Sequence, residues 1–205
     1  MGEFELSSGM SLWFAVAAIP LALTACTAFT KVSVVLSALR VGLGAERILP
    51  WGAVFALAVV MTGVIMAPIG VSLFTGVEAY GGAEALRGAG VAAWQEVLAP
   101  LTEFMQRHAA TRELEFFADL QGLAQGHPLV LIPAFLVTEL GEAFVMAVLI
   151  LVPLVAVDVL LAQVFTLTGL PGQPLPLVAL PMKLLLFLAV NGWDVVLGGL
   201  VEGYR

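Results

Sequence analysis

The sequence contains one cysteine, Cys26, and two histidines, His108 and His127, among 205 residues. A single cysteine excludes an intrachain disulfide. Neither histidine has a second histidine or cysteine at the spacing of a metal site. The G-x-S-x-G, H-E-x-x-H, P-loop and C-x-x-C motifs are also absent. The sequence therefore predicts a protein without enzymatic activity, and it indicates neither a cofactor nor a metal centre.

Charged residues are scarce, and no run of Lys or Arg is present. Lys and Arg number 8 and Asp and Glu number 15. Nucleic acid is therefore not expected as a partner, because it requires a basic surface. Hydrophobic residues make up 61% of the chain and charged residues 11%, whereas soluble domains average about 45–50% and about 25%. This composition predicts an all-α, membrane-associated protein.

Four long apolar tracts hold most of the hydrophobic residues, at positions 10–41, 49–77, 129–168 and 175–201. Each tract is close to or longer than the roughly 20 residues that span a bilayer. We therefore expect four long helical tracts arranged as membrane-associated hairpins. The first tract is expected to be one long helix or two pieces broken near Pro20.

A more polar, acidic segment separates the second and third tracts. Its apolar residues recur three or four positions apart, which is typical of one face of a helix; they are Val91, Trp94, Leu98, Leu101 and Met105, followed by Leu114, Phe117 and Leu120. Pro100 is expected to kink or divide this helical region. The predicted organisation is therefore two apolar tracts in 1–77, an amphipathic helical insert in 78–128, and two apolar tracts in 129–205.

Two arginines predict an orientation in the membrane. Arg40 and Arg47 lie in the short link between the first two tracts, and cytoplasmic loops carry an excess of Lys and Arg. We therefore expect this link on the cytoplasmic side. The insert and both chain ends are then expected on the opposite, periplasmic side.

Six ionisable residues lie inside the apolar tracts: Lys31, Glu139, Glu142, Asp158, Lys183 and Asp194. A charged side chain in the middle of a membrane helix costs roughly 2.5–3.5 kcal/mol, so such groups pair, face a bundle interior or line a hydrated route. Two classes of function are consistent with this pattern. One is a stand-alone ion- or proton-coupled transporter, and the other is a subunit whose charges pair within a larger assembly.

Long collinear stretches resemble the FliP/SctR family, which includes YscR and HrcR and supplies the R-type core subunits of bacterial type III secretion systems. The stretches are LIPAFLVTELGEAFVMAVLILVPLVAVD at 131–158, ALPMKLLLFLAVNGWDVVLGGLV at 179–201 and FTKVSVVLSALRVGLGAERILP at 29–50. The resemblance implies a pentamer that joins S-type and T-type subunits, with U-type and V-type components in the same apparatus. It implies a channel in the bacterial inner membrane, lifted largely to the periplasmic side, through which unfolded proteins pass.

The resemblance also assigns expectations to single residues. Glu139 matches the acidic position of the family's SEL motif, and Asp158 and Lys183 match an aspartate and the lysine of LPFK. We expect Asp158 and Lys183 to form an ion pair within or between subunits, and Glu139 to contact a partner subunit. The remaining candidates for buried ion pairs or subunit contacts are Glu142, Lys31, Arg40, Asn191 and Asp194.

Two departures from the family pattern concern the second half of the chain. The family's DGW is Asn191-Gly192-Trp193 here, with Asp194 one helical turn after the usual aspartate. The loop between the last two tracts lacks the methionines that close the pore in many relatives. Leu167, Leu170, Pro171 and Gly172 are therefore the candidates for an apolar constriction. The acidic chain start favours the injectisome branch over the flagellar branch.

Overall fold

A computed structural model describes residues 20–169 and 175–205, and these ranges contain helices and turns but no β-strand. The predicted all-α, membrane-type fold is confirmed. In chain order the helices are α1 Pro20–Cys26, α2 Phe29–Gly42, α3 Trp51–Ala79, α4 Ala83–Gly88, α5 Val91–His108, α6 Thr111–Gln121, α7 Pro128–Leu167, α8 Leu175–Ala189 and α9 Gly192–Glu202.

Helices α3 and α7 are each long and apolar enough to cross a membrane. They correspond to the second and third predicted tracts. The first and fourth tracts are each a pair of shorter helices, α1 with α2 and α8 with α9. Counting each pair as one span raises the number of candidate spans in the described residues to four.

The first tract breaks at Thr27, seven residues after the proline at which a break was expected. The Thr27 hydroxyl donates to the Leu23 carbonyl, and its oxygen accepts the Phe29 N–H at 3.3 Å. A threonine oxygen that accepts the backbone N–H two residues later forms a local turn that competes with helical hydrogen bonding. The break therefore coincides with this turn at Thr27 and not with Pro20, the first described residue of α1.

The described residues group by contact into two compact units. One comprises residues 20–29 and Ile69–Val137, and the other comprises Thr30–Pro68 and Thr138–Arg205. Helices α3 and α7 each contribute to both units. The predicted division of the sequence into 1–77, 78–128 and 129–205 stays a prediction, since contact grouping describes packing only.

One buried cluster in the unit that contains the insert joins α4 and α5. It consists of Leu86, Ala93 and Val97, with Val77 and Tyr80 packed against it. A Cβ at Gly76 on α3 would lie 3.5 Å from a Val97 methyl group, an ordinary contact distance, so α3 lies beside α5 at this point. A small residue such as Ala93 contributes to this cluster, and a search for large apolar residues overlooks it.

The helix predicted around the apolar face of the insert is present as α5. Of that face, Met105 is buried, Leu101 is half-buried, and Val91, Trp94 and Leu98 are exposed. Pro100 lies inside α5 without dividing it. On α6, Leu114 and Phe117 are half-buried and Leu120 is exposed.

In the other unit, α2 turns Val32, Val35, Leu36 and Leu39 into the core, at the three- and four-residue spacing of one helix face. Its last residue, Gly42, touches α7. A Cβ at Gly42 would lie 2.6 Å from Leu151 Cδ2 and 2.9 Å from Leu154 Cδ1. The absence of a side chain at Gly42 therefore lets α2 end directly against α7.

The fourth tract bends by 62° between α8 and α9, where a continuous apolar tract was expected. Asn191 adopts a left-handed conformation with φ 50° and ψ 48°. Asn is one of the few residues other than glycine that tolerates this region. A Cβ at Gly192 would lie 2.2 Å from the Phe187 ring, and Trp193 meets that ring edge-on with centroids 5.3 Å apart. Asn191 and Gly192 thus form an elbow that the apolar composition conceals.

Candidate functional site

Lys31 on α2 lies between two carboxylates of α7. Its Nζ is 3.0 Å from Glu139 Oε1 and 2.6 Å from Glu142 Oε2. Lys31 is 1% exposed and Glu139 is fully buried, whereas the Glu142 side chain is 55% exposed. Because the two glutamates are three residues apart on one helix face, a single ammonium reaches both. The pairing of Lys31 with these glutamates was not foreseen from the sequence.

Tyr204, next to the chain end, completes this group. Its hydroxyl donates to Glu139 Oε2, and the Lys31 ammonium lies 4.2 Å from the centre of its ring. Burial, followed by the nearby charge of Glu139, raises the pKa of the Tyr204 phenol. We call Lys31, Glu139, Glu142 and Tyr204 the Lys31 cluster. Sequence reasoning missed Tyr204, and the only available signal was its position just after an apolar tract that needs partners for its charges.

Lys183 on α8 and Asp158 on α7 form a second group. Lys183 Nζ donates to Asp158 Oδ2 at 2.6 Å and to the Gly42 carbonyl at 2.9 Å. The structure thus brings the two residues together within one chain. Gly42 is the last residue of α2, where carbonyl groups lack partners inside the helix, and a lysine there also interacts favourably with the helix dipole. We call Lys183, Asp158 and the Gly42 carbonyl the Lys183 cluster.

The two clusters fasten both ends of α2 to α7. Lys31 lies in the first turn of α2 and Gly42 is its last residue. Lys31 and Lys183 are also the only two lysines in the chain, and both are buried in ion pairs. Removing one member of a buried pair typically costs about 3–5 kcal/mol, because the other charge is left without a partner. The arrangement therefore positions helices, and it resembles no nucleophile or acid–base pair.

The other predicted site residues lie apart from these clusters. Arg40 donates from Nε to the Leu49 carbonyl at 2.7 Å and from Nη2 to the Glu46 carbonyl at 3.0 Å, so it holds the turn between α2 and α3. Asn191 and Asp194 are exposed at the start of α9. Asp194 forms no ion pair with any residue in 20–169 or 175–205, but a carboxylate in the first turn is favourable to the helix dipole.

In the single chain Glu139 has no exposed surface, and its oxygens contact Lys31 and Tyr204. Its contact with a partner subunit stays a prediction. Of the predicted constriction, Leu167 ends α7 and is 86% exposed. Leu170, Pro171 and Gly172 lie outside the described residues.

One face of α7 is apolar and uncovered. Val148, Val152, Val155 and Val159 follow one another at helical spacing and are each half exposed or more. We call these four residues the α7 outer face. Two carboxylates lie beside exposed valines on the same helix, since Asp158 is three residues from Val155 and Glu142 is three residues from Val145.

Comparison with known proteins assigns the chain to a family. Residues 12–200 match the FliP family. The chain is 31% identical over 219 residues to the hypersensitivity response secretion protein HrcR of Ralstonia nicotianae, with 100% of both chains covered. It is 30% identical to the virulence protein YscR of Salmonella typhimurium, with 95% of each covered. It is also 30% identical to the flagellar biosynthetic protein FliP of Pectobacterium carotovorum, with 91% of this chain and 74% of that protein covered.

The chain therefore belongs to the FliP family. Its relatives are proteins of type III secretion and flagellar export, which supports a role in protein export. The apolar helices and these relatives together indicate association with a membrane.

Proposed function

We propose that this FliP-family chain is a core pore-forming subunit of a type III export gate, through which unfolded proteins enter the secretion channel at the inner membrane. Family membership supports the role in export. One structural observation supports an assembled subunit in particular: the α7 outer face is apolar, yet half-exposed carboxylates lie on the same helix.

An exposed apolar face on a long helix must be covered by lipid or by protein. Lipid around α7 would also meet Glu142 and Asp158, which are 55% and 41% exposed. Charged groups in hydrocarbon are costly and are tolerated where they face protein or water. Neighbouring subunits can cover the valines and still leave the carboxylates hydrated or hydrogen-bonded. The α7 outer face therefore fits a protein contact better than a lipid contact.

The proposed assembly is a ring of five copies that joins the small S-type and T-type subunits, with U-type and V-type components in the same apparatus. The ring lies largely on the periplasmic side of the inner membrane. In this arrangement Glu142, Asp158, Asn191 and Asp194 have exposed surface with which to contact a neighbour. Lys31, Glu139 and Lys183 are buried, and the contacts described for them lie within one chain.

The constriction of the proposed pore is assigned to Leu167, Leu170, Pro171 and Gly172. Leu167 supports the assignment because a large apolar side chain is exposed at the end of α7. A ring of such side chains forms an apolar narrowing, and apolar narrowings close channels by excluding water. In this proposal leucine forms the narrowing that methionines form in many relatives.

A stand-alone ion- or proton-coupled transporter is the alternative. It would require Glu139, Glu142, Asp158 and Lys183 along a hydrated route. Glu139 is fully buried and held by Lys31 and Tyr204, and Lys183 is 6% exposed and held by Asp158 and Gly42. Glu139 and Lys183 are thus buried and held by contacts within the chain, whereas an ion route needs charges that face water, so their geometry favours the gate.

Native mass spectrometry of the protein in mild detergent, with and without co-expressed S-type and T-type subunits, tests the proposal. We expect a closed homo-oligomer that adds both small subunits. A stable monomer or dimer that ignores them would refute the gate and would favour the transporter.

A charge on the α7 outer face provides a sharper version of this test. Val152→Glu is expected to abolish the oligomer, because it places a carboxylate in the middle of the subunit contact. The matched control is Val91→Glu, which adds the same charge at an exposed valine of the insert. An oligomer that tolerates Val152→Glu as well as Val91→Glu would contradict the assigned contact.

A further inference from the structure

The last residues of the chain fold back onto a buried ion pair. Gly203, Tyr204 and Arg205 donate backbone hydrogen bonds to the carbonyls of Gly199, Val201 and Glu202, at 3.2, 3.1 and 3.2 Å. These bonds continue the end of α9 as a turn. These three residues, which we call the tail, therefore have a defined position after α9.

Helix α9 brings this turn to α7. Val196 and Leu200 of α9 are buried, and a Cβ at Gly199 would lie 3.5 Å from Met146 Cε on α7. Met146 is one helical turn from Glu142. A Cβ at Gly203 would lie 3.9 Å from Lys31 Nζ, so the tail passes directly beside the ammonium.

The charges of the Lys31 cluster explain why a neutral donor is needed there. One ammonium faces two carboxylates, and Glu139 has no access to water. Glu139 Oε1 makes only the ionic contact with Lys31 and no hydrogen bond of regular geometry to the described residues. Its Oε2 takes a hydrogen from Tyr204. A buried charge is stable only when its remaining lone pairs are also satisfied.

We propose that Tyr204 is a positioning residue that docks residues 203–205 onto Lys31 and Glu139 and thereby fixes α2 against α7. The hydroxyl supplies the second donor to Glu139, and the ring lies 4.2 Å from the Lys31 ammonium. One lysine can then hold both glutamates. Tail docking is a property of the single chain and does not depend on the export function.

Carboxypeptidase digestion of a chain that ends at Arg205, in mild detergent and followed by intact mass measurement, tests whether the tail is docked. Arg205 is exposed, so we expect it to be removed and digestion then to stop at Tyr204. In the Tyr204→Phe variant the ring remains but the hydroxyl is lost. A hydrogen bond to a charged group corresponds to a roughly 10- to 100-fold change in an equilibrium constant. The variant should therefore lose residue 204 about 10- to 100-fold faster than the wild type does.

Two comparisons control for the preference of the enzyme and for general loosening. After unfolding, the wild-type and Tyr204→Phe chains should lose residue 204 at equal rates. Glu202→Gln replaces an exposed carboxylate beside the tail with a neutral amide, and it should leave Tyr204 as protected from digestion as in the wild type. Removal of Tyr204 from the folded protein as fast as from the unfolded chain would overturn the proposal. Loss of residue 204 at equal rates from the folded wild type and the folded Tyr204→Phe variant would overturn it too.

A spectroscopic measurement separates the specific contact from simple burial. In a Tyr80→Phe background Tyr204 is the only tyrosine, so absorbance at alkaline pH follows its phenol alone. We expect titration above the ordinary value of about 10, and Glu139→Gln should move the midpoint toward that value, since a nearby negative charge opposes ionisation. A midpoint that ignores Glu139→Gln would contradict the assigned contact.

Under the proposed export function, an undocked tail should also weaken assembly of the ring, and this consequence rests on that function. Digestion of the isolated chain and native mass spectrometry of the complex give separate answers. A protected tail in a chain that never assembles would refute the gate and leave the role of Tyr204 intact. An assembled ring whose tail is freely digested would support the gate and refute the role of Tyr204.

Discussion

Removing the ammonium of Lys31 is the most informative single perturbation of this protein. Lys31→Met keeps an unbranched side chain of similar length and deletes the charge. Glu139 then remains fully buried without its ammonium partner, and the Tyr204 hydroxyl still donates a hydrogen bond to it. Breaking a buried pair in this way costs about 3–5 kcal/mol. Since folded domains are stable by only about 5–15 kcal/mol, the loss should be large.

The two glutamates should respond differently because their burial differs. Glu142 is 55% exposed, and water screens its contact with Lys31. Ion pairs of this kind are worth about 0–1 kcal/mol, so Glu142→Gln should have little effect. In the double variant Lys31→Met/Glu139→Gln no charge is stranded, because glutamine is neutral and can still accept the hydrogen of Tyr204. Most of the loss seen in Lys31→Met should therefore be recovered.

Denaturant unfolding in detergent, followed by tryptophan fluorescence, measures these differences. We expect the order of stability to be wild type and Glu142→Gln, then Lys31→Met/Glu139→Gln, then Lys31→Met. The reasoning is refuted if Lys31→Met lowers the free energy of unfolding by less than about 1 kcal/mol. It is also refuted if adding Glu139→Gln to Lys31→Met restores nothing.

Three further predictions follow from other contacts. Gly42→Ala should lower the free energy of unfolding by about 1–3 kcal/mol, because the new methyl group overpacks against α7. Gly63 has open space around it, so Gly63→Ala should be neutral or stabilising by up to about 1 kcal/mol. Denaturant unfolding of both variants tests this difference. The hydrogen bond from Tyr80 to Glu96, followed by burial, raises the pKa of Tyr80. The contribution of this hydrogen bond to stability is therefore fully present below the ordinary tyrosine pKa of about 10, and it is lost as the pH rises through the raised pKa of Tyr80. In the Glu96→Gln variant, ultraviolet titration should show a lower midpoint for Tyr80. In the folded protein, amine-reactive reagents should label the N-terminal amine but neither lysine, as peptide mass spectrometry can show. Fast labelling of either lysine would contradict the buried ion pairs.

The long helices were the most predictable part of the fold. The tracts predicted at 49–77 and 129–168 became α3, Trp51–Ala79, and α7, Pro128–Leu167. A continuous apolar run sets the extent of a helix locally, so its ends can be read within about two residues. The buried side of α5 could not be read in the same way. Which side of a helix is buried depends on its neighbours, and here Ala93 and Val97 of α5 pack with Leu86.

The charged residues were identifiable singly, but their pairing was only partly so. Lys31 and Glu139 are more than a hundred positions apart, and no local pattern states which helices meet. Family resemblance supplied the pairing of Asp158 with Lys183, which the structure places within one chain. It supplied no partner for Lys31, and Tyr204 went unnoticed. The Asn-Gly pair at 191–192 is a known turn signal, and it was overlooked because apolar residues surround it.

The elbow at Asn191 has a consequence for how deeply this part of the chain can sit in lipid. Helix α8 has 15 residues and α9 has 11, or about 22 Å and about 16 Å of helix at 1.5 Å per residue. Neither half alone reaches across a hydrocarbon layer of about 30 Å. A bend of 62° between them also exposes helix ends, whose backbone groups must be met by something other than acyl chains. A hydropathy profile therefore counts one span in a region whose folded form needs protein or water at its midpoint.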